Sequence, residues 1–371
     1  MVLQNDFKRQ WELVQGSALE AVRRVGASGR YILGQEVESF EAALADFCGI
    51  RHTVGVGNGM DALEISLRCL GLKQGDKVLT TPLSAFATTL AILRSGGFPV
   101  FVDVDELGAI DLGQCRQLLE RDNSIRFMVP VHLYGFPMNL PELGRLKEDF
   151  GLSIVEDCAQ AIGASYAGAP VATVGQAAAT SFYPTKNLGA MGDGGAVLSN
   201  DAAVAEKAKT LRDYGQSSHY AHVEIGLNSR LDEIQAALLH DAFLPYLSQW
   251  TDHRRRVACA YHDQIDHPNI QLLRPPSEMN PIWHLFPVRC GEGQRDSLLS
   301  HLRSCDIMTG IHYPRIIPDQ VALAGKALSH TAVDPANARR FANEELSLPI
   351  HPFLTEQEIS TVIDACNNWK E

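Results

Sequence analysis

The chain has 371 residues, 45% of them hydrophobic and 20% charged, and its 32 basic and 44 acidic side chains leave a net charge of −12. That length supports a large core and predicts two domains, while the acidic balance argues against broad binding to nucleic acid or a membrane surface and leaves room for a local basic pocket. No apolar run approaches the roughly 20 residues of a membrane span, the polar opening "MVLQNDFKRQWELV" does not read as a signal peptide, and eight scattered cysteines without a CxxC pair or a Cys/His cluster fit reduced thiols in a cytoplasm and no metal.

In chain order, apolar residues at helical spacing predict a helix over 36–47, stopped by Gly49. "HTVGVGNG" reads as a strand breaking into a turn, and "MDALEISLRCLGL" as a helix ending near Gly71. "DKVLTTP", "FPVFVDVD", "IRFMVPVHLYG", "LSIVEDCAQ", "AAATSFYP" and "GGAVLSN" predict short strands, with helices over 84–93, 112–119 and 140–150 between most of them. This alternation predicts a mainly parallel sheet with helices on both faces. The last two strands have no helix between them, so an antiparallel or irregular element is expected there. A long helical stretch over 231–269 follows, and its run Arg254, Arg255 and Arg256 reads as a solvated face. "PIWHLFPVRC", "SLLSHLRSCDI" and "TEQEISTVIDACNNW" then suggest a smaller α+β domain. The division is expected inside the long helix, giving domains 1–245 and 246–371.

Three stretches carry chemistry. In "VGNGMDAL" a strand ends in a glycine turn and a helix starts near Asp61. The first amides of a helix lack internal partners and sit at the positive end of its dipole, so a phosphate fits there, although many such turns only connect strand to helix. "SIVEDCAQA" ends a strand at Glu156 and Asp157, with Gln160 three residues after the aspartate. Strand ends are where ligands gather in open α/β sheets, though a strand-end acid also serves as a helix N-cap. "SFYPTKNLGAMGDGGAV" sets Lys186 between Pro184 and Gly189, Gly192, Gly194 and Gly195, as if something must approach the lysine closely. Together the three meet the needs of pyridoxal phosphate: a lysine for the aldehyde, an aspartate to keep the pyridine nitrogen protonated, and a helix start for the phosphate.

With "GRYILGQEVESFEAALADFCG", "GLNSRLDEIQAALL" and "IHYP", these motifs resemble the DegT/DnrJ-type aminotransferases that act on nucleotide-linked keto sugars. The resemblance covers most of the chain. It implies the aspartate-aminotransferase fold (fold type I), pyridoxal 5′-phosphate as cofactor and L-glutamate as amino donor, released as 2-oxoglutarate. It further implies a UDP- or dTDP-linked keto sugar as acceptor, and a homodimer. By the same resemblance Lys186 is the Schiff-base lysine, Asp157 the partner of the pyridine nitrogen, and Gln160 the group near the phenolic oxygen. Ser181 and the amides of Gly59 and Met60 hold phosphate, and Phe86 stacks on the pyridine. Asn228 reaches the neighbouring subunit's phosphate, and Arg230, His312 and Tyr313 line the sugar pocket, also across the interface. Many members have threonine or serine where Met60 stands. An apolar residue there, with "FYPTKNLGAMGDGG", resembles the branch that aminates C3 of the sugar; C4 amination and a non-catalytic regulatory relative are the alternatives. A sugar dehydratase of this family has histidine in place of the lysine.

Three other sites stay open in the sequence. His132 could touch substrate or serve structurally, Asp103 and Asp105 read as loop caps, and Tyr183 could lie near the cofactor or simply pack.

Overall fold

The computed structural model describes residues 1–370. Short apolar runs, too short to be helices and bounded by turns, form the strands β1 (His52–Val56), β2 (Lys77–Thr80), β3 (Phe98–Phe101), β4 (Phe127–Val129), β5 (Ser153–Asp157), β6 (Ala177–Ser181) and β7 (Gly195–Ser199). They are buried almost throughout, as strands covered on both faces must be. With β10 (His330–Thr331) they make one sheet in the order β1-β7-β6-β5-β4-β2-β3-β10. Every neighbour pair is parallel except β1–β7 and β7–β6. The single reversed strand lies where the sequence offers no crossover helix, since a parallel return needs one.

That topology decides where chemistry can sit. The C-terminal ends of β1, β5 and β6 and the start of β7 share one edge of the sheet, with Asp157 two residues in register from Ser181 along the β5–β6 ladder, and Ser181 opposite Gly195. The helix Gly59–Cys69 springs from the same edge, its N-cap Asn58 accepting from the amide of Asp61. The other expected helices appear as Gln35–Cys48, Phe86–Arg94, Leu112–Arg121 and Leu140–Phe150. An N-terminal helix, Phe7–Ser28, buries Val14, Ala18, Ala21 and Val25 against the sheet's helical layer.

The long helical stretch is corrected in one respect: it is not a single α-helix. Glu233–Leu238 passes through a π-turn at Leu239–Phe243 and a 3₁₀ turn at Leu244–Tyr246 before Leu247–Gln264 resumes. Pro245 has no amide hydrogen and its ring displaces the carbonyl four residues back, which forces the wide turn. The expectation of a solvated basic face fails at Arg254. Its side chain is buried, and Nη1 donates to the carbonyls of Ile350 (2.9 Å), Trp283 (3.3 Å) and His284 (3.4 Å). Arg256 alone of the three is exposed.

Beyond Gln264, β8 (Ile270–Leu272), β9 (Phe286–Cys290) and β11 (Glu345–Leu348) form an antiparallel sheet in the order β8-β9-β11. Helices Arg295–Ser304 and Glu356–Asn367 pack on it through Leu298, Leu302, Val362 and Ile363. The two halves of the chain interleave. Val2 bridges to Ile307, β10 extends the large sheet beside β3, and Leu83, Val131 and Tyr134 join the core of the small sheet. No helix is long and apolar enough to cross a membrane among the described residues.

Candidate active site

At the shared edge, the Asp157 carboxylate is buried and takes two hydrogen bonds, from the Thr88 hydroxyl (2.8 Å) and the Ala159 amide (3.1 Å). Burial pushes its pKa up; those two donors, and the nearby charge of Lys186, oppose the rise. Lys186 lies in the loop between β6 and β7, in a turn closed by its amide on the Tyr183 carbonyl (2.8 Å). Its Nζ has no hydrogen-bond or ion-pair partner among the described residues. Burial lowers its pKa to about 8, against the pull of Asp157. A half-buried, unpartnered amine of that pKa is a nucleophile and proton carrier in waiting.

The glycines around Lys186 do something other than clear room for a ligand. A Cβ on Gly189 would lie 2.3 Å from the Pro184 carbonyl oxygen, and one on Gly195 2.4 Å from the Asn58 carbonyl carbon. The chain's own backbone fills that space, so the close approach is internal: it clamps the lysine loop on itself and seats β7 against the start of the helix Gly59–Cys69. A Cβ on Gly59 would likewise strike Ser181 Cβ at 2.6 Å. The result is a tight corner where Gly59, Met60 and Ser181 meet. Within it the Asp61 amide is satisfied by Asn58 Oδ1 and the Ala62 amide by the Asn58 carbonyl, while the amides of Gly59 and Met60 have no partner among the described residues. The Met60 side chain packs against the apolar cluster around Val54 and Ile65. Two free amides at a helix start, beside a serine hydroxyl, make an anion cradle.

Gln160 is held at both ends. Its Oε1 accepts from the Tyr134 amide (2.7 Å) and its Nε2 donates to the Tyr313 hydroxyl (3.2 Å). Tyr313 and His312 therefore sit in the same chain's site beside Gln160, where the expectation was a contribution across an interface. Phe86 opens its helix two residues before Thr88 and packs on the cluster of Phe101, Ile317 and Leu323.

Asn228 and Arg230 stand apart. Arg230 pairs with Asp213, donates to Asn228 Oδ1 and lies over the Tyr214 ring at 4.9 Å. None of those partners belongs to the Lys186 cluster, and the Asn228 side chain is exposed. Only Ser229 between them touches the helix start, accepting from the Gly57 amide (3.0 Å).

Several residues support the site without belonging to it, and of these Asn187 had no signal of its own in the sequence. Glu156, next to Asp157, accepts four hydrogen bonds, from His132 Nε2 and the amides of Ala172, Val174 and Gly175. His132 Nδ1 accepts from the Met138 amide (3.0 Å), so both ring nitrogens are taken up within the protein and the ring braces Glu156. His132, Glu156 and Cys158 lie close enough together to hold a metal ion, but these bonds occupy the carboxylate and both ring nitrogens. Asn187 anchors the lysine loop to the small domain, donating to the Ile282 carbonyl and meeting His284 Nδ1 at 2.9 Å. Asp103 accepts from the amides of Asn337 and Ala338, and Asp105 from those of Leu107 and Ala109, both as caps; Tyr183 is exposed.

The sequence from 14 to 367 matches the DegT/DnrJ/EryC1/StrS aminotransferase family. The chain belongs to that family. It is 41% identical over 370 residues to the dTDP-3-amino-3,4,6-trideoxy-alpha-D-glucose transaminase of Streptomyces venezuelae, covering 99% of this chain and 95% of the relative. It is 37% identical to the pleiotropic regulatory protein of Geobacillus stearothermophilus, covering 97% and 96%. The crystal structure of S. venezuelae DesV in complex with a ketimine intermediate superposes with a TM-score of 0.94 at 40% identity, covering 99% of this chain and 98% of that one. The aminotransferase thus has the fold type I architecture and uses pyridoxal phosphate. Its own residues fit that group: an anion cradle for the phosphate, a buried carboxylate for the ring nitrogen and a partner-free lysine amine within the carboxylate's field.

Proposed function

We propose that this aminotransferase moves an amino group from L-glutamate to a 3-keto sugar linked to UDP or dTDP, giving a 3-amino-3-deoxy nucleotide sugar. The observation that carries this is the Lys186 amine, half-buried, unpartnered and lowered by desolvation to about 8 against the pull of Asp157. A purely regulatory protein has no use for such an amine, whereas transamination needs it twice, once for each half-reaction.

In this reading the free amides of Gly59 and Met60, with the Ser181 hydroxyl, hold the phosphate, and Phe86 covers the ring. When bound, pyridoxal phosphate supplies an electron sink for the carbanion formed at the donor's Cα. The Asp157 carboxylate keeps the ring nitrogen protonated, and Thr88 and the Ala159 amide hold that carboxylate in its charged form. Lys186 Nζ takes the proton from glutamate Cα and, in the second half-reaction, delivers one to the sugar carbon. Gln160 orders the site's edge by tying Tyr134 to Tyr313. His312 and Tyr313 face the sugar. Asn228 and Arg230, turned away from their own site, serve a partner's site in a homodimer. The proposed domain division at residue 245 is supported by the π and 3₁₀ turns of Leu239–Tyr246, and the cytoplasm is the proposed compartment.

The test is glutamate-dependent turnover with a panel of 3-keto and 4-keto nucleotide sugars, product regiochemistry being read by NMR. Amination at C3 is expected. Amination only of the 4-keto members would replace the acceptor, and failure of glutamate to bleach the cofactor's near-visible absorbance would favour a regulatory protein.

A further inference from the structure

His312 is tied to a chain of side chains that does not touch the cofactor cradle. Its Nδ1 lies 2.9 Å from the Ser347 hydroxyl, which lies 2.5 Å from Glu345 Oε1. Glu345 Oε2 accepts from the His312 amide at 2.6 Å, closing the loop, and the Tyr134 hydroxyl donates to the His312 carbonyl at 2.7 Å. Glu345 and Ser347 sit on β11, both fully buried. Gly310 makes space for the ring, since a Cβ there would lie 2.6 Å from His312 Cε1. With Nδ1 committed to Ser347, Nε2 is the ring's free nitrogen, without a partner among the described residues, in a ring that senses the charge of Lys186.

A single hydroxyl between a carboxyl and an imidazole transmits polarity. Ser347 has one proton to donate. If the carboxylate takes it, the hydroxyl oxygen accepts from Nδ1–H, and Nε2 is an acceptor. If the carboxyl is protonated and donates to Ser347, the hydroxyl donates to Nδ1, and Nε2 carries the hydrogen. We propose that Glu345 and Ser347 are positioning residues that set the hydrogen-bonding sense of His312 Nε2, making it a donor to the sugar's keto oxygen when Glu345 is neutral and an acceptor when it is ionised.

Burial pushes the Glu345 carboxyl up to about 8. The groups facing it are Arg295, Tyr134, Tyr313 and Cys290, besides Ser347 and the His312 amide. Arg295 acts with the two hydrogen bonds to oppose the rise, while Arg289, opposite Glu345 in the β9–β11 register, is paired with Glu344. His312 itself is lowered to about 4 by burial and by Lys186, so its ring stays neutral while Glu345 titrates. The donor sense therefore holds below the Glu345 pKa and is lost as pH rises through it.

This inference rests on the keto-sugar reading above, and its test separates the two. In the holoenzyme with ¹⁵N-labelled histidine, the His312 signals, assigned by their loss in His312→Gln, are expected to change from Nε2-protonated at about pH 6.5 to Nδ1-protonated at about pH 9.5. Glu345→Gln is expected to hold the Nε2-protonated form throughout, because its amide donates to Ser347 at every pH. Ser347→Ala is expected to abolish the step and Ser347→Thr to keep it, which covers the case where Glu345→Gln does not fold. Across the same range KM for the nucleotide sugar should rise about tenfold in the natural protein and stay flat in Glu345→Gln, while the glutamate half-reaction follows neither change. One tautomer at all pH values in the natural protein, or a step that survives Glu345→Gln or Ser347→Ala, overturns the proposal. An intact tautomer step in a protein that does not aminate a 3-keto sugar overturns the acceptor reading instead.

Discussion

The edge of the large sheet that holds Lys186 and the hairpin segment that precedes Arg230 are opposite kinds of structure. At the sheet edge almost every polar group is buried and its donors are counted: two for Asp157, two bonds for Gln160, four for Glu156. Around the hairpin Gln216–Ser218 and Ala221–His222, apolar side chains point to solvent, with Tyr220 79%, Val223 63% and Ile225 89% exposed. The charges there pair locally, Arg230 with Asp213 and Glu224 with Lys207 of the preceding helix. A chain that fixes Asp157, Gln160 and Glu156 so closely, and leaves free only the Lys186 amine and the Gly59 and Met60 amides, has built the first region for a ligand of its own and left the second to face another surface. The exposed region supports the homodimer proposal, and each prediction below breaks or sharpens the contrast.

The largest effect belongs to the sheet edge. Lys186→Ala is expected to abolish transamination, below detection in coupled turnover assays, while the cradle of Gly59, Met60 and Ser181 still retains cofactor. Near-normal turnover in the purified variant would remove Lys186 from the mechanism. Asp157→Asn comes next, with a fall of about a hundredfold or more in the stopped-flow glutamate half-reaction, since a neutral amide no longer favours the protonated ring nitrogen. A loss under about tenfold, roughly 1.4 kcal/mol of barrier, would assign the nitrogen to another residue.

The hairpin side should respond differently. Asn228→Ala with Arg230→Ala is expected to inactivate the homodimer, yet mixing it with inactive Lys186→Ala subunits should restore activity toward about half per mixed dimer, because a two-fold interface leaves one site with neither defect. No recovery, with subunit exchange confirmed by mass spectrometry, would place all of these residues in one chain's own site.

The same contrast explains how much could be read from sequence. The sheet edge was legible because its residues lie in short contiguous motifs, each at a strand end or a helix start, where local rules apply. Asp157, Lys186 and the Gly59 turn all fall where strand-ending and helix-starting signals placed them. The single reversed strand was legible from a missing helix. The rest depended on contacts far apart in sequence. Nothing in "RRR" distinguishes the buried Arg254 from the exposed Arg256, since carbonyls from residues 283, 284 and 350 decide it. Glu345 and Ser347 look like ordinary strand residues until β11 brings them to His312. The glycines after Lys186 were visible, but what they make room for was not: a backbone approach from Pro184 or Asn58 leaves no local trace.

The smallest predicted effect tests the least visible member of the site. Thr88 lies on the helix Phe86–Arg94, and among the described residues its hydroxyl is one of two donors to the Asp157 carboxylate. Removing it in Thr88→Val keeps the side-chain shape and deletes one hydrogen bond to the charged form, worth about 1.5 kcal/mol or somewhat more for an ionised acceptor. The charged form is thereby disfavoured, so the Asp157 pKa, already raised by burial, rises further. The activity that depends on the carboxylate should then be lost at a higher pH as the solution is acidified. The expected result is a glutamate half-reaction about three- to tenfold slower near neutrality, with its acid limb displaced upward and a smaller deficit at alkaline pH. Thr88→Ser, which keeps the hydroxyl, should restore the limb. A uniform loss at every pH would mean that Thr88 acts through packing alone, and the carboxylate would then owe its ionised state to the Ala159 amide and Lys186.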